Sequence, residues 1–213
     1  MTRTTNPAST QDNTQAEDHD TIQAAPQRRR RLPPEARRAQ LLDVALSVFA
    51  EMGIERAGHA DIAKRVGVST ATVFNYFPTR DALVDAVLEE AKVRIDRMFE
   101  DIGPLSDDPV KRILQGAAAY QRVVEDSPDL VKMFLKWGVS FDPDIRPRYL
   151  AYQKSVLQRL VKLLPESEDP MTEARLLYAA ANSMAVMLFD GESLDVLTGY
   201  SRRIARALAK PDA

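Results

Sequence analysis

Apolar residues recur at every third or fourth position over most of this chain, which is the spacing of an amphipathic α-helix. No stretch sustains the two-residue alternation that is typical of a half-buried strand. Proline and glycine residues divide the pattern into segments. We therefore predict an all-α fold. The predicted helices cover residues 34–52, 61–66, 70–77, 80–99, 108–126, 128–138, 144–164, 171–189 and 193–209.

Residues that favour helix ends support the predicted boundaries of the first, third and fourth helices. Pro34 suits a first helical turn, and Gly53 suits the position that follows a last turn. Ser69 and Thr79 are good N-cap residues for the third and fourth helices. Pro78 ends the third helix, because the residue before a proline is pushed out of the α region.

The third helix, in "STATVFNYFPTR" (residues 69–80), is only about two turns long and needs packing to be stable in water. At 100° per residue, Val73, Phe74 and Phe77 fall on one apolar arc. We expect these three side chains to anchor the helix on the first helix and on Ile62 and Val66 of the second. A short helix, a glycine turn and a second helix form the helix-turn-helix arrangement.

The opposite face of the third helix carries small or hydrogen-bonding side chains, and Thr70 projects from its first turn. Ala71 permits close approach of a backbone and can touch a thymine methyl group, while Thr72 and Asn75 can hydrogen-bond to base edges. Tyr76 and Arg80 flank this face and suit the phosphate backbone. The pattern favours DNA recognition, although any short amphipathic helix shows a similar wheel.

Charge is unevenly distributed along the 213 residues, whose net charge is −2. Residues 1–27 are polar and acidic, and we expect them to be disordered. Residues 28–33 form a basic arm, which begins with Arg28, Arg29, Arg30 and Arg31. This run is either a solvated charge cluster or an arm that enters a DNA minor groove, and its place before a helix-turn-helix favours the arm.

Composition argues against most enzyme classes. The chain has no cysteine and two histidines, His19 and His59, and we find no glycine-rich phosphate loop and no metal-ligand spacing. We therefore expect no enzyme activity, no cofactor and no metal. The start lacks the apolar core of a secretory signal, and no apolar run reaches the roughly 20 residues that cross a bilayer. We expect a cytoplasmic protein, associated with the nucleoid, that does not insert in a membrane.

The segment "LLDVALSVFAEMGIERAGHADIAKRVGVSTATVFNYFPTRDALVDAVL" resembles the DNA-binding head of TetR-family regulators. With "RLPPEARRAQ" before it, it resembles more narrowly the LuxR/HapR-type branch, the quorum-sensing master regulators. The resemblance implies a homodimer that binds double-stranded DNA at an inverted-repeat operator. It also implies a head at 34–80 and a helical body at 81–213 that dimerises and often encloses a small apolar ligand.

The resemblance extends to individual residues of the head. The positions that match the recognition helix and its N-terminus are Ser69, Thr70, Ala71, Thr72, Asn75 and Tyr76. Arg80 takes the place of a phosphate-contacting Lys or Arg. His59 lies where the family can touch the DNA backbone, although a simple cap explains it equally well. The run from Arg28 to Arg31 resembles the basic arm of this branch.

Methionine and aromatic residues lie on helical faces of the body. Such residues usually fill a core, and the alternative is an apolar ligand pocket. The candidate pocket residues are Phe99, Met133, Phe134, Trp137, Phe141, Asn182 and Met187. The last two helices carry small residues between 179 and 185, and we assign these helices to the dimer interface.

Two other functions remain open at this point. One is a helical small-molecule-binding protein or an enzyme whose head does not bind DNA. The other is an interaction protein that has kept the head fold. Tight binding to a defined duplex would separate the DNA-binding regulator from both.

Overall fold

The computed structural model describes residues 32–164 and 167–209, and every regular element in these ranges is helical. The described residues from Pro33 onward belong to one compact unit. The helices are α1 Pro34–Met52, α2 His59–Val66, α3 Thr70–Tyr76, α4 Arg80–Asp101, α5 Pro109–Asp126, α6 Pro128–Gly138, α7 Arg146–Leu160, α8 Pro170–Phe189 and α9 Leu194–Leu208, with a 3₁₀ turn at Val161–Leu163. The predicted all-α fold is confirmed.

Side-chain caps set the ends of the two helices that follow α2. Ser69 Oγ accepts a hydrogen bond from the amide of Thr72 at 3.2 Å, and Thr79 Oγ1 accepts one from the amide of Ala82 at 3.0 Å. Each cap satisfies one of the amides that a first helical turn leaves without a partner. Gly67 adopts φ +76° between α2 and α3, a conformation that glycine enters without steric cost.

Several predicted boundaries differ from the structure by one to four residues, and two of these differences have a clear local cause. The second helix begins at His59 and not at residue 61, because the carboxylate of Asp61 reaches back to the Gly58 amide (3.0 Å) and caps an earlier turn. The seventh helix stops at Leu160 and tightens into the 3₁₀ turn. Leu164 has left the helical conformation, as expected for the residue before Pro165.

One hydrophobic core runs from the first three helices into α4, α6 and α7. The fully buried side chains on the side of the first three helices include Leu41, Phe49, Ile62, Val73 and Phe77. The same cluster continues through Leu83, Val84 and Val87 of α4 and Leu130, Met133 and Trp137 of α6. Because the packing is continuous, the position of α3 depends on residues of α4 and α6.

Polar contacts add a second connection between α1 and α6. Lys136 of α6 donates to the carbonyl oxygens of Ala50 (2.5 Å) and Glu51 (2.9 Å), the unpaired carbonyls at the end of α1. Ser47 donates to a carboxylate oxygen of Asp129 at 2.6 Å. These bonds hold the C-terminal half of α1 against the whole length of α6.

Ion pairs on α4 reach both α1 and α7. Arg94 pairs with Asp43 of α1, while Arg148 of α7 lies 3.3 Å from both Asp81 and Asp85. All the carboxylates of these pairs are largely exposed, so each pair stabilises the fold by about 1 kcal/mol or less. The pairs therefore orient α4 more than they stabilise it.

Candidate DNA-binding site

Two apolar side chains hold the short helix α3 in place. Val73 is fully buried and Phe77 is 2% exposed, and both belong to the core that contains Ile62 of α2. This agrees with the apolar arc read from the sequence. A helix of seven residues is therefore held by its neighbours and not by its own hydrogen bonds.

Phe74 was expected in the same anchor, and this expectation is wrong. Its side chain is 45% exposed, and its ring stacks on the ring of His59 with centroids 4.0 Å apart and planes within 6°. Phe74 lies at the edge of the apolar arc, so α2 covers only one face of its ring. The other face borders the exposed side of α3.

The structure also corrects the expected role of His59. The imidazole is 7% exposed, and its Nε2 donates a hydrogen bond to the Phe77 carbonyl oxygen at 2.7 Å. A buried ring with this bond is not positioned to reach a DNA phosphate. His59 instead links the start of α2 to the end of α3, and the sequence contained no signal for this partner.

The side chains expected to contact DNA divide into two groups. Those of Thr70, Ala71 and Asn75 are exposed, as is Ser69. Thr72 is half-buried, and its hydroxyl lies 2.8 Å from that of Ser69, within the helix cap. The candidates for base contacts are therefore the exposed side chains at the start of α3 and at Asn75.

Tyr76 is half-buried and packs against the shared core. This position restricts the ring, in contrast to the free face on which the sequence placed it. Its expected contact with the phosphate backbone stays a prediction.

Arg80 is exposed, but its guanidinium already has hydrogen-bond partners within the protein. Its guanidinium donates to the carbonyl oxygens of Ile54 and Glu55 (2.8 Å to Glu55) in the turn between α1 and α2. These carbonyls follow the end of α1 and have no helical partner. Arg80 therefore holds the α1–α2 turn against the start of α4, and its expected contact with a DNA phosphate stays a prediction.

Arg38 was missed as a candidate. Its guanidinium carbon lies 5.5 Å above the centroid of the Phe77 ring, which places an exposed cation beside the C-terminal end of α3. The signal in the sequence was an arginine one turn into α1. A cation there can contact a phosphate that flanks the groove occupied by α3.

On α2, Lys64 and Arg65 are both exposed, but they differ in their partners. Arg65 donates two hydrogen bonds to the carboxylate of Glu51, at 2.5 and 2.9 Å. This bond raises the pKa of Arg65 and lowers the pKa of Glu51. Lys64 forms no ion pair within the described part of the chain, so it is the freer of the two cations.

The basic arm, Arg28 to Arg31, and the acidic segment at 1–27 lie outside the described residues. Their expected roles in minor-groove binding and disorder stay predictions. The site that the structure describes therefore begins at α1.

A cavity lies in the body and is lined by residues of α4 to α9. Three of the predicted pocket residues line it: Phe99, Phe134 and Asn182. The other four predictions are wrong, because their side chains lie elsewhere: Met133, Trp137, Phe141 and Met187.

Burial explains these four differences. Met133 and Trp137 are 1% and 2% exposed and fill the core between α6 and its neighbours. Phe141 is 84% exposed in the α6–α7 loop, where the guanidinium of Arg146 lies 5.4 Å from its ring centroid. Met187 is half-buried near the end of α8, on a part of that helix that does not face the cavity.

Two classes of feature are absent from residues 32–164 and 167–209. These residues contain no group of three or more His, Asp or Glu side chains placed to hold a metal ion. None of the helices in these ranges is both long enough and apolar enough to cross a membrane.

Comparison with known proteins identifies the head. Residues 41–87 match the model of the bacterial regulatory proteins of the tetR family, a segment that runs from α1 through α3 into α4. This segment of the chain is similar to the TetR family. The match includes every exposed side chain of α3.

The chain is also similar to the HTH-type transcriptional regulator LuxR of Vibrio harveyi. The two are 37% identical over 127 residues, which cover 60% of this chain and 62% of LuxR. The aligned region thus spans less than two thirds of that relative. The likeness supports the LuxR-type resemblance of the head.

Solved structures share the fold of the chain over the body as well as the head. A TetR-like transcriptional regulator from Rhodococcus sp. RHA1 has a TM-score of 0.72 at 20% identity, over 85% of this chain and all of that one. FadR from Bacillus subtilis, solved with stearoyl-CoA, has a TM-score of 0.65 at 19% identity, over 82% of this chain and 99% of FadR. At these identities the likeness shows the fold.

Proposed function

We propose that this protein is a sequence-specific transcriptional regulator of the TetR family that binds an inverted-repeat operator as a homodimer. The observation that carries the proposal is the geometry of α3. Val73 and Phe77 are buried, while Thr70, Ala71 and Asn75 are exposed on the other side of the same seven-residue helix. A rigidly held helix with small and amide side chains on its free face suits entry into a major groove.

The charges around α3 support phosphate contacts on both sides of the groove. Arg38 lies beside the C-terminal end of α3, and Lys64 is exposed on α2. The serine at position 69 and the threonine at position 70 are exposed at the N-terminal end. Phosphate contacts fix the register of a recognition helix, and base contacts then supply specificity.

The homodimer is proposed from the exposed face of α8. Leu176 is 55% exposed and Val186 is 45% exposed, and both lie on one side of this helix with Ala179 and Ser183. A face of this composition suits close helix packing across a two-fold axis, in which one patch pairs with its own copy. Leu194 at the start of α9 is 63% exposed and extends the same apolar character.

The small residues of α8 do not all belong to this proposed interface. Ala180 and Ala185 are buried within the subunit, and Ala181 lines the cavity. Ala179 and Ser183 are the exposed ones. We therefore propose that only the outer half of the small-residue segment contacts a second copy.

We further propose that a small apolar ligand in the body cavity controls DNA binding. Phe134 lines the cavity from α6, and the same helix holds α1 through Lys136. A ligand that shifts α6 would therefore move the head. A regulator of this kind works in the cytoplasm, where the chromosome is. A role in quorum sensing, implied by the resemblance of the head, stays a prediction.

A footprint on genomic DNA fragments tests the proposed function. The purified protein is expected to protect one or a few segments that contain an inverted repeat, with an affinity at least 10³ times that for unrelated DNA. Cross-linking on the same duplex should show two copies bound. Uniform weak binding to every fragment would contradict the proposal and favour a helical small-molecule-binding protein whose head does not read DNA.

A further inference from the structure

The described lining of the body cavity carries no charged side chain. It includes apolar side chains from α4, α5, α6, α7, α8 and α9, such as Ile95, Ile113, Val156 and Leu177. None of the described residues that line it is Lys, Arg, Asp, Glu or His. The polar side chains in the lining are Tyr120, Tyr152, Tyr178, Asn182, Tyr200 and Ser201.

Several of these polar groups already have partners within the protein. The hydroxyl of Tyr178 lies 3.0 Å from that of Tyr149. Tyr200 donates to the Ala180 carbonyl oxygen at 3.2 Å. These groups are therefore less free to bind a molecule in the cavity.

Tyr152 and Tyr120 differ from the other lining tyrosines. Neither hydroxyl has a hydrogen-bond partner among the described residues. Protein atoms do not fully enclose either hydroxyl oxygen, so each one borders open space. Because both residues line the cavity, these two phenol groups are donors available to a ligand.

Burial also keeps the phenols uncharged. It raises the pKa of Tyr152 well above the usual value for tyrosine, and it raises the pKa of Tyr120 and Tyr178 in the same direction. At physiological pH each group is therefore a neutral O–H donor. The cavity provides hydrogen bonds without a charge of either sign.

The cation of Arg159, beside the cavity wall, is paired with an acid. Arg159 lies over the Phe99 ring, 5.6 Å from its centroid, but it also pairs with the carboxylate of Asp96 at 2.8 Å. Phe99 lines the cavity, and the guanidinium of Arg159 is not part of the lining. A negatively charged ligand would therefore lose its hydration without gaining an unpaired cation.

We propose that this cavity binds an uncharged, mainly apolar molecule with one hydrogen-bond acceptor, such as a ketone or an ester carbonyl, held by the Tyr152 hydroxyl. The inference rests on the ligand control proposed above and names the chemical class of the ligand. It excludes free carboxylates from the cavity, because their charge has no partner in its lining.

Tryptophan fluorescence provides a binding assay that needs no DNA. Trp137 is the only tryptophan of the chain, and its ring centroid lies 5.7 Å from that of Phe134 and 5.9 Å from that of Tyr152. Both neighbours line the cavity, so an occupant should change the emission of Trp137. The probes are 2-undecanone and undecanoate at pH 7.5, which match in chain length and differ in charge.

We expect 2-undecanone to bind saturably and undecanoate to bind at least tenfold more weakly. Tyr152→Phe should lower the affinity for the ketone by about 2- to 10-fold, which corresponds to one neutral hydrogen bond. Tyr76→Phe is the matched control, because Tyr76 packs against the core and does not line the cavity, and the ketone affinity should stay within about twofold. Circular dichroism verifies that both variants fold.

A variant designed to reverse the preference of the cavity for the ketone over the carboxylate provides a second test. Ala181→Lys places an ammonium in the lining and should increase the affinity for undecanoate relative to the ketone. Equal or tighter binding of undecanoate by the unmodified protein would overturn the proposal, as would failure of the ketone to bind. An unchanged ketone affinity in Tyr152→Phe would show that the Tyr152 hydroxyl does not donate to the ketone. Since the footprint is measured without any ligand, failure here is distinct from failure of the proposed DNA binding.

Discussion

The contact of His59 with α3 leads to a quantitative prediction. His59→Ala removes two interactions: the hydrogen bond from Nε2 to the Phe77 carbonyl oxygen and the stack on Phe74. A buried carbonyl left without a partner costs about 1–3 kcal/mol, and an aromatic stack contributes about 0.5–1.5 kcal/mol. The expected loss in the free energy of unfolding is therefore about 2–4 kcal/mol, a large share of the roughly 5–15 kcal/mol of a typical domain.

Urea denaturation followed by circular dichroism measures this loss. We expect a lower midpoint with an unchanged slope, because the core that contains Phe77 continues into α4 and α6 and should unfold in one transition. Phe74→Leu is the matched control, since it removes the stack and keeps the hydrogen bond. Its loss should be about 1 kcal/mol, near the value for the stack alone.

DNA binding should respond to the same change. His59 does not reach DNA in the structure, so any loss of affinity in His59→Ala arises from a less rigid α3. We expect weaker binding to the operator and to random DNA alike, measured by gel shift at a temperature where the variant is folded. A change in stability below about 0.5 kcal/mol, within the range of ordinary surface substitutions, would refute the assigned role of His59.

Three further predictions concern base reading, the arm and the α1–α6 junction. Asn75→Ala should weaken operator binding by about 1–3 kcal/mol in a gel shift and spare random DNA, and Gln158→Ala on α7 is its control. Equal weakening on both DNAs would reject base reading. Replacing Arg28–Arg31 with Ala should reduce the slope of log K against log salt by about 0.9 for each phosphate that the arm neutralises, and an unchanged slope would indicate a solvated charge run. Lys136→Met should destabilise the fold by about 1 kcal/mol in a urea titration, because Lys136 bonds two carbonyls at the end of α1, whereas the exposed Lys154→Met should have no effect. Matching curves for the two lysine variants would contradict a role for this junction.

The sequence alone determined the secondary structure and the placement of the recognition helix. Helical spacing, proline and glycine positions, and caps such as Ser69 and Thr79 act between residues a few positions apart. For that reason the predicted ends of α1, α5 and α6 agree with the structure to within one residue. The burial of Val73 and Phe77 was predictable in the same way, because both lie well inside the apolar arc.

Only the tertiary structure decided which side chain meets which neighbour. His59, Phe74 and Arg80 lie at helix ends or at the edge of a face, where the partner comes from another part of the chain. Trp137 and Phe134 share one helical face, yet one fills the core and the other lines the cavity. A helical wheel ranks the faces of a helix by polarity and holds no information on the distance to the next helix. The roles at these positions therefore follow from how the helices pack together.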